Sequence, residues 1–343
     1  MKNKVVLTGM RTTGALHLGH YIGALKLWKE IQDAEKYECY FLLADVQALT
    51  THADNPALLT RSVVEVAKDW LAVGLDPTLP HVHFVLQSQV PERYELSALL
   101  MMIARYSEVM RNPTLKTELE RQPNASMGFM TYPVDQVADI FMVSPYPLQG
   151  DNELLVPVGD DQVPHIEYAN DLGERFNRDY GKVFPPCKAM VGEVGRLVGT
   201  DGKAKMSKSL NNTIQLNDNA ETVKQKVQKM FTDPNHLRVE DPGNPDNNPV
   251  FMYLRAFDPN QQEVEELAKQ YRQGGLGDVV LKNRLAKVLN DFLEPVRQRR
   301  TTFENADIGE ILRAGSQVAR NACIPIVEAV REQMALKIPK NES

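Results

Sequence analysis

Short apolar runs at 5–10, 40–43 and 83–86 have strand length and are bounded by Gly, Asp or Pro. Amphipathic stretches at 21–31 and 56–73 lie between them, the second opening on Asn55 with Pro56 in the first helical position. Strands alternating with helices imply parallel pairing through right-handed crossovers, hence an α/β fold built on a doubly wound sheet. Ligands of such sheets bind beyond the carboxyl ends of the strands. Helical periodicity at 93–110 and 133–144 predicts a helical insertion at about 93–150. Strand character returns at 155–158, and helical character at 165–176.

Residues 191–212 are rich in Gly, Lys and Ser and are expected to form a functional loop. Beyond them the pattern changes. Asp218-Asn219-Ala220-Glu221 resembles a capping box opening a helix through Met230. A linker-like stretch at 234–249 carries four prolines, and helical patterns then follow at 261–272, 276–300, 308–315 and 317–337. This predicts two domains, 1–215 with the sheet and its insertion and 216–343 all helical.

Composition narrows the class. The chain has 343 residues, 24% charged and 43% hydrophobic, as in an ordinary globular protein. Cys39, Cys187 and Cys323 are far apart with no C-x-x-C spacing, which argues against a disulfide framework or zinc site and for a reducing cytoplasm. No run approaches a membrane span, and the N-terminus lacks a signal h-region. A net charge of −6 argues against a protein that coats nucleic acid, although residues 281–343 carry +3 against −9 elsewhere. That bias permits RNA contact by Arg297, Arg299 and Arg300, and a solvated basic face explains it equally well.

Gly9 and Gly14 have the spacing of a phosphate-binding P-loop, but Ala15-Leu16 replace its Lys and Ser/Thr. What remains is a strand, a turn and a helix start whose N–H groups suit a phosphate. His17 and His20, three apart, would face the same way on a helix and donate hydrogen bonds where charge develops. Lys205 and Lys208, also three apart in Lys205-Met206-Ser207-Lys208-Ser209, suit the outer phosphates of a nucleotide. His81-Val82-His83 puts two imidazoles on one strand face with no third ligand, which favours a structural pair over a metal site. Trp28 and Trp70 are expected in the core.

The pair His17-Leu18-Gly19-His20 and Lys205-Met206-Ser207-Lys208-Ser209 resembles the two signatures of class I aminoacyl-tRNA synthetases. Within that class the chain is similar to the tryptophanyl-tRNA synthetase family. Further strings carry this: Gly9-Met10-Arg11-Thr12-Thr13-Gly14, Ala44-Asp45-Val46-Gln47, Tyr132-Pro133, Ala138-Asp139-Ile140 and Val156-Pro157-Val158-Gly159-Asp160-Asp161-Gln162. The resemblance implies a Rossmann-type sheet with a C-terminal helical domain that reads the tRNA anticodon. It implies a cytoplasmic homodimer that activates tryptophan with ATP and Mg²⁺ and transfers it to tRNA(Trp). A tyrosyl-tRNA synthetase, a small-molecule nucleotidylyltransferase and a non-catalytic paralogue that binds tRNA or nucleotide are the alternatives.

Carried over by residue, the resemblance makes His17, His20, Lys205, Lys208 and Lys116 catalytic. ATP would meet Arg11, Thr12, Thr13, Gly19, His20, Gly159, Asp160, Asp161, Leu197, Lys205, Met206, Ser207, Lys208 and Ser209. Tryptophan would meet Asp139 at its indole N–H, Tyr132 and Gln162 at its ammonium and carboxylate end, and Gln47. Arg11, Gln47 and Gln136 depart from the Gln, His and Met that many members carry around the pocket.

Overall fold

A computed structural model describes residues 4–120, 122, 124–150, 152–192, 197–203, 206–207 and 210–336. Among these, strands β1 (Lys4–Arg11), β2 (Glu38–Ala44), β3 (Val82–Leu86), β4 (Glu153–Val158) and β5 (Cys187–Val191) form one parallel sheet in the order 3-2-1-4-5. After β1 come α1 (Leu18–His20), a π-helical turn (Tyr21–Leu25) and α2 (Lys26–Asp33). Helices α3 (Asp45–His52) and α4 (Pro56–Ala72) join β2 to β3. The insertion holds α5 (Glu92–Ile103), α6 (Tyr106–Val109), α7 (Pro113–Leu119) and α8 (Met127–Phe141), and α9 (Val163–Asp179) joins β4 to β5. The chain ends in α10 (Ala220–Gln228), α11 (Pro249–Phe257), α12 (Gln261–Gln273), α13 (Asp278–Thr302) and α14 (Ile308–Gln333). No described helix is long and apolar enough to cross a membrane.

Helices cover both faces of the sheet, so the central strands are apolar on both sides. Alternation sorts the side chains: Val6, Phe41 and Phe84 face one core with Trp28 and Trp70, while Leu7, Tyr40 and Val85 face the other with α5, α8 and α9. The first core runs on past residue 215 to include Phe251, Leu285 and Leu312, and the second includes Ile326 and Val330 of α14. The C-terminal helices therefore share the interior of the sheet layer.

Asn-Pro dipeptides start three helices. Asn55, Asn112 and Asn248 each accept a backbone N–H of the first turn, while the following proline has no N–H to satisfy. Only the first was legible as a start from local pattern. The stretch at 93–110 breaks in two at Ala104, whose extended backbone ends α5. The expected break near Gly315 is absent, and α14 runs straight through it. Gly315 is there for packing: a Cβ would lie 2.2 Å from the Phe84 carbonyl oxygen, so α14 rests backbone to backbone on β3. Beside it the Ser316 hydroxyl accepts the Leu86 N–H at 2.9 Å, satisfying a donor of that strand.

Arg297, Arg299 and Arg300 each have a partner within the chain, which gives all three a structural role, although Arg299 is also exposed. Arg297 donates to the Asp218 carbonyl and Arg299 to the Ala72 carbonyl, and Arg300 pairs with Glu65 and the buried Asp69. His81 and His83 also have separate structural partners, the Gln32 carbonyl at 3.0 Å and the Glu38 carboxylate at 2.6 Å.

Candidate active site

The strand order reverses between β1 and β4, so a crevice opens past their carboxyl ends. Gly9 helps to form it: a Cβ there would lie 2.5 Å from the Leu42 oxygen, so only glycine lets β1 pass this close to β2. A cavity of about 240 Å³ occupies the crevice. Sites for drug-sized ligands run to roughly 300–1,000 Å³, so this one suits a single amino acid. Arg11, Gln47, Tyr132, Asp139, Gly159 and Gln162 all line it, as does Gln136.

At its floor lies Asp139, on α8 and almost fully buried. Its Oδ2 accepts from Gln87 Nε2 at 2.8 Å, and its Oδ1 lies 2.7 Å from Arg93 Nε. Arg93 is wholly buried and also pairs with Asp135 at 2.6 Å. One guanidinium cannot neutralise two carboxylates. Burial therefore pushes the Asp139 pKa up to about 7, with Arg93 opposing and Asp135 adding to the rise. The Gln87 oxygen accepts the Val46 and Gln47 N–H groups, which fixes its amide so that the NH₂ meets Asp139. Sequence reading missed Gln87 and Arg93, because they are remote in the chain and carry no motif.

At another wall the Tyr132 hydroxyl donates to Glu118 at 2.9 Å and lies 3.3 Å from His165 Nε2. Burial and the Glu118 charge raise the Tyr132 pKa, so the phenol keeps its proton. Gln162 approaches Gln136 at 3.5 Å. Glu118 and His165 were also missed, although His165 stands three residues after Gln162.

The two histidines are arranged differently from the expectation of a shared helix face. His17 is the extended residue before α1, with φ −130° and ψ 171°, and its ring lies 3.7 Å from that of His20. The His17 N–H donates to His20 Nδ1 at 3.1 Å. In a neutral His20 the proton is then on Nε2, where it is a donor. The π-turn that follows is of a kind frequent at functional sites.

Residues 206–207 bring the second signature to the first. A Cβ on Gly19 would lie 3.0 Å from the His17 ring and 3.1 Å from Met206 Sδ, so glycine lets the two strings touch. The Ser207 N–H donates to Asn212 Oδ1 at 2.7 Å, and Leu18 N–H to the Ile214 carbonyl at 2.9 Å. Lys205, Lys208 and Ser209 lie outside the described residues. Asp160 and Asp161 are exposed on the turn after β4, and Lys116 is exposed on α7. Thr13 is half-buried, whereas Thr12 and Leu197 are buried, Leu197 in the same core as Leu18 and Met206.

A strand-reversal crevice with a histidine pair at the turn after β1, and with Met206 set against that turn, has the layout of a class I synthetase-like site. A family model described as tRNA synthetases class I (W and Y) matches residues 2–294. The chain is 42% identical over 349 residues to a tryptophan–tRNA ligase of Clostridium longisporum, covering 99% of each. It is 40% identical over 339 residues to that of Chlamydia caviae, covering 96% of this chain and 94% of the relative. Among solved structures it resembles a tryptophanyl-tRNA synthetase of Campylobacter jejuni complexed with ADP and tryptophan. There the TM-score is 0.80 at 31% identity, covering 96% of this chain and 99% of the other. The chain belongs to the class I tRNA synthetases of the tryptophan and tyrosine group.

Proposed function

We infer that this chain is a tryptophan–tRNA ligase: it activates L-tryptophan with ATP and transfers it to tRNA(Trp). The observation that carries the choice of amino acid is Asp139, a buried acceptor at the floor of a cavity of amino-acid size. Indole offers one N–H donor and no acceptor, so such a site rewards it and is left unpaired by phenylalanine. Full-length similarity to tryptophan–tRNA ligases supports the same reading.

In the first step the tryptophan carboxylate attacks the α-phosphorus of ATP, forming an acyl–phosphate bond and releasing pyrophosphate. ATP arrives with Mg²⁺ on its phosphates. His20, donating from Nε2, and His17 suit the α-phosphate, and Lys205 and Lys208 the departing pyrophosphate. Arg11, Thr12, Thr13, Gly19 and Met206–Ser209 would border the nucleotide phosphates, and Gly159, Asp160, Asp161 and Leu197 its nucleoside. Tyr132, Gln162 and Gln47 would hold the amino acid. In the second step a ribose hydroxyl of the tRNA terminus attacks the adenylate carbonyl, releasing AMP. Catalysis here is positioning and charge stabilisation, with no side-chain nucleophile.

Residues 216–343 would read the anticodon, whose unstacked bases can be stacked on and hydrogen-bonded. Met102, Tyr106 and Met127 are exposed on the insertion and support a homodimer through it. Three buried, free cysteines fit a reducing cytoplasm. The test is amino-acid-dependent exchange of pyrophosphate into ATP: tryptophan alone should support it. Preference for tyrosine, or no exchange with any amino acid, would overturn the reading.

A further inference from the structure

Two turns before Asp139 on α8, Tyr132 ends a hydrogen-bond chain whose direction is fixed from its far end. Asn112 caps α7, and its Oδ1 accepts the N–H groups of Thr114 at 3.0 Å and Leu115 at 3.2 Å. The oxygen is thereby identified and committed, so the other end of the amide is the NH₂ donor. That Nδ2 lies 3.3 Å from His165 Nδ1, which must accept.

His165 is 1% exposed, and burial lowers its pKa to about 4 against the pull of Asp161. The ring is neutral at pH 7 and holds one proton. With Nδ1 accepting, the proton is on Nε2, 3.3 Å from the Tyr132 hydroxyl oxygen, to which it donates. Tyr132 passes its own proton towards Glu118 Oε2 at 2.9 Å. Every donor from Asn112 to Tyr132 is committed in one direction. What Tyr132 and Glu118 have left for the cavity is lone pairs and negative charge.

We propose that Asn112 and His165 are positioning residues that make the Tyr132–Glu118 pair acceptor-only, so that this pair selects ligands bearing a free ammonium group and rejects those presenting only an acceptor to it. Neither residue lines the cavity. They act through Tyr132 by occupying the lone pair and fixing the proton that would otherwise let its hydroxyl turn and donate. The proposal rests on the reading of the cavity as the tryptophan site and adds the rule by which that site recognises the amino-acid end. An N-acylated tryptophan, or an indole acid without an amine, would set acceptor against acceptor here, which costs binding.

The test is calorimetric binding to the full chain of two probes that share the indole: tryptamine, which has the ammonium alone, and indole-3-propionate, which has the carboxylate alone. The chain should prefer tryptamine. His165→Leu should weaken tryptamine and tryptophan by about tenfold, the scale of one lost charge-assisted hydrogen bond, with indole-3-propionate and ATP within twofold. His165→Gln should recover most of the loss, since its amide again offers an acceptor and a donor end. Glu118→Gln, at a half-buried position, should likewise weaken tryptamine and not indole-3-propionate, and serves if His165→Leu fails to fold. Equal weakening of both probes, unchanged tryptamine affinity, or no recovery with Gln would overturn the proposal. Failure of the unmodified chain in pyrophosphate exchange would instead overturn the functional reading, because the binding comparison does not depend on activation.

Discussion

Asp69 on α4 accepts the Leu16 backbone N–H at 2.8 Å through Oδ2. Its Oδ1 meets the Arg300 guanidinium, so one buried carboxylate ties α13 to the turn that leads into His17. Removing the arginine leaves a buried charge without its main counterion, a change that costs about 3–5 kcal/mol when such pairs are broken. Arg300→Ala should lower the urea midpoint by that scale and slow adenylate formation, because the Leu16 turn loses a fixed anchor. The KM for tRNA should stay the same below the melting temperature. A variant of normal stability with a raised tRNA KM would return Arg300 to the RNA surface.

Asp139 gives tryptophan binding a pH dependence. Its pKa rises from 3.8 to about 7 because burial disfavours the charge and Arg93 is shared with Asp135. Between those values the folded chain keeps a proton that the unfolded chain releases. The stability it contributes is therefore full below pH 3.8 and lost as pH rises through about 7. Acceptor strength moves the opposite way, so the KM for tryptophan should fall between pH 6 and 8 while the KM for ATP stays level. Asp139→Asn should flatten that profile and weaken tryptophan by about tenfold or more, measured by pyrophosphate exchange across pH. Equal losses for tryptophan and ATP would count against an indole contact.

Gly315 tests the seat of α14 on the sheet. A methyl group there meets the Phe84 carbonyl, a backbone atom that cannot swing away, at 2.2 Å. Gly315→Ala should cost about 1–3 kcal/mol, the usual range for overpacking, even though alanine is the better helix former. Thermal melting measures it, and a stabilised variant would mean that α14 shifts freely on β3.

These contacts mark where local sequence stops being informative. Short continuous apolar runs made β1 to β4 legible, because these strands are buried on both faces, and their alternation with helices implied parallel pairing but not the order 3-2-1-4-5. β5 was not foreseen, because Cys187 is its one buried residue and the strand reads as loop. Helix α3 has too weak a polar–apolar contrast to stand out, and α11 begins where prolines suggest a linker. In the site, Asp139, Tyr132 and Gln162 were reachable through their motif strings. Their supports were not: Gln87 is 52 residues from Asp139 and Asn112 is 53 from His165. Such pairings are made by tertiary packing between elements distant in the chain. The Asn112-Pro113 dipeptide has the same form as the helix start at Asn55-Pro56, but no apolar periodicity follows it that would have marked it as a cap.

Lys208 provides the direct test of the nucleotide assignment. The described pair Met206 and Ser207 is held on both sides, Met206 against Gly19 and Ser207 by the Asn212 side chain. Lys205 and Lys208 flank this pair in sequence and lie outside the described residues, so their role is tested by substitution. An ammonium group at the departing pyrophosphate acts on charge that develops only as the phosphorus–oxygen bond breaks, so its removal should affect rate more than ground-state binding. Lys208→Ala should lower the single-turnover rate of adenylate formation by roughly 10²–10³, the scale of losing one preorganised charge-stabilising group. Tryptophan affinity should change less than twofold, since Asp139 and Tyr132 are untouched. Gly19→Ala should lower the same rate by less, because its methyl group displaces the His17 ring and Met206 Sδ by only a few tenths of an ångström. An unchanged rate in Lys208→Ala would remove that lysine from the transition state, and a loss confined to tryptophan affinity would place the loop at the amino acid instead.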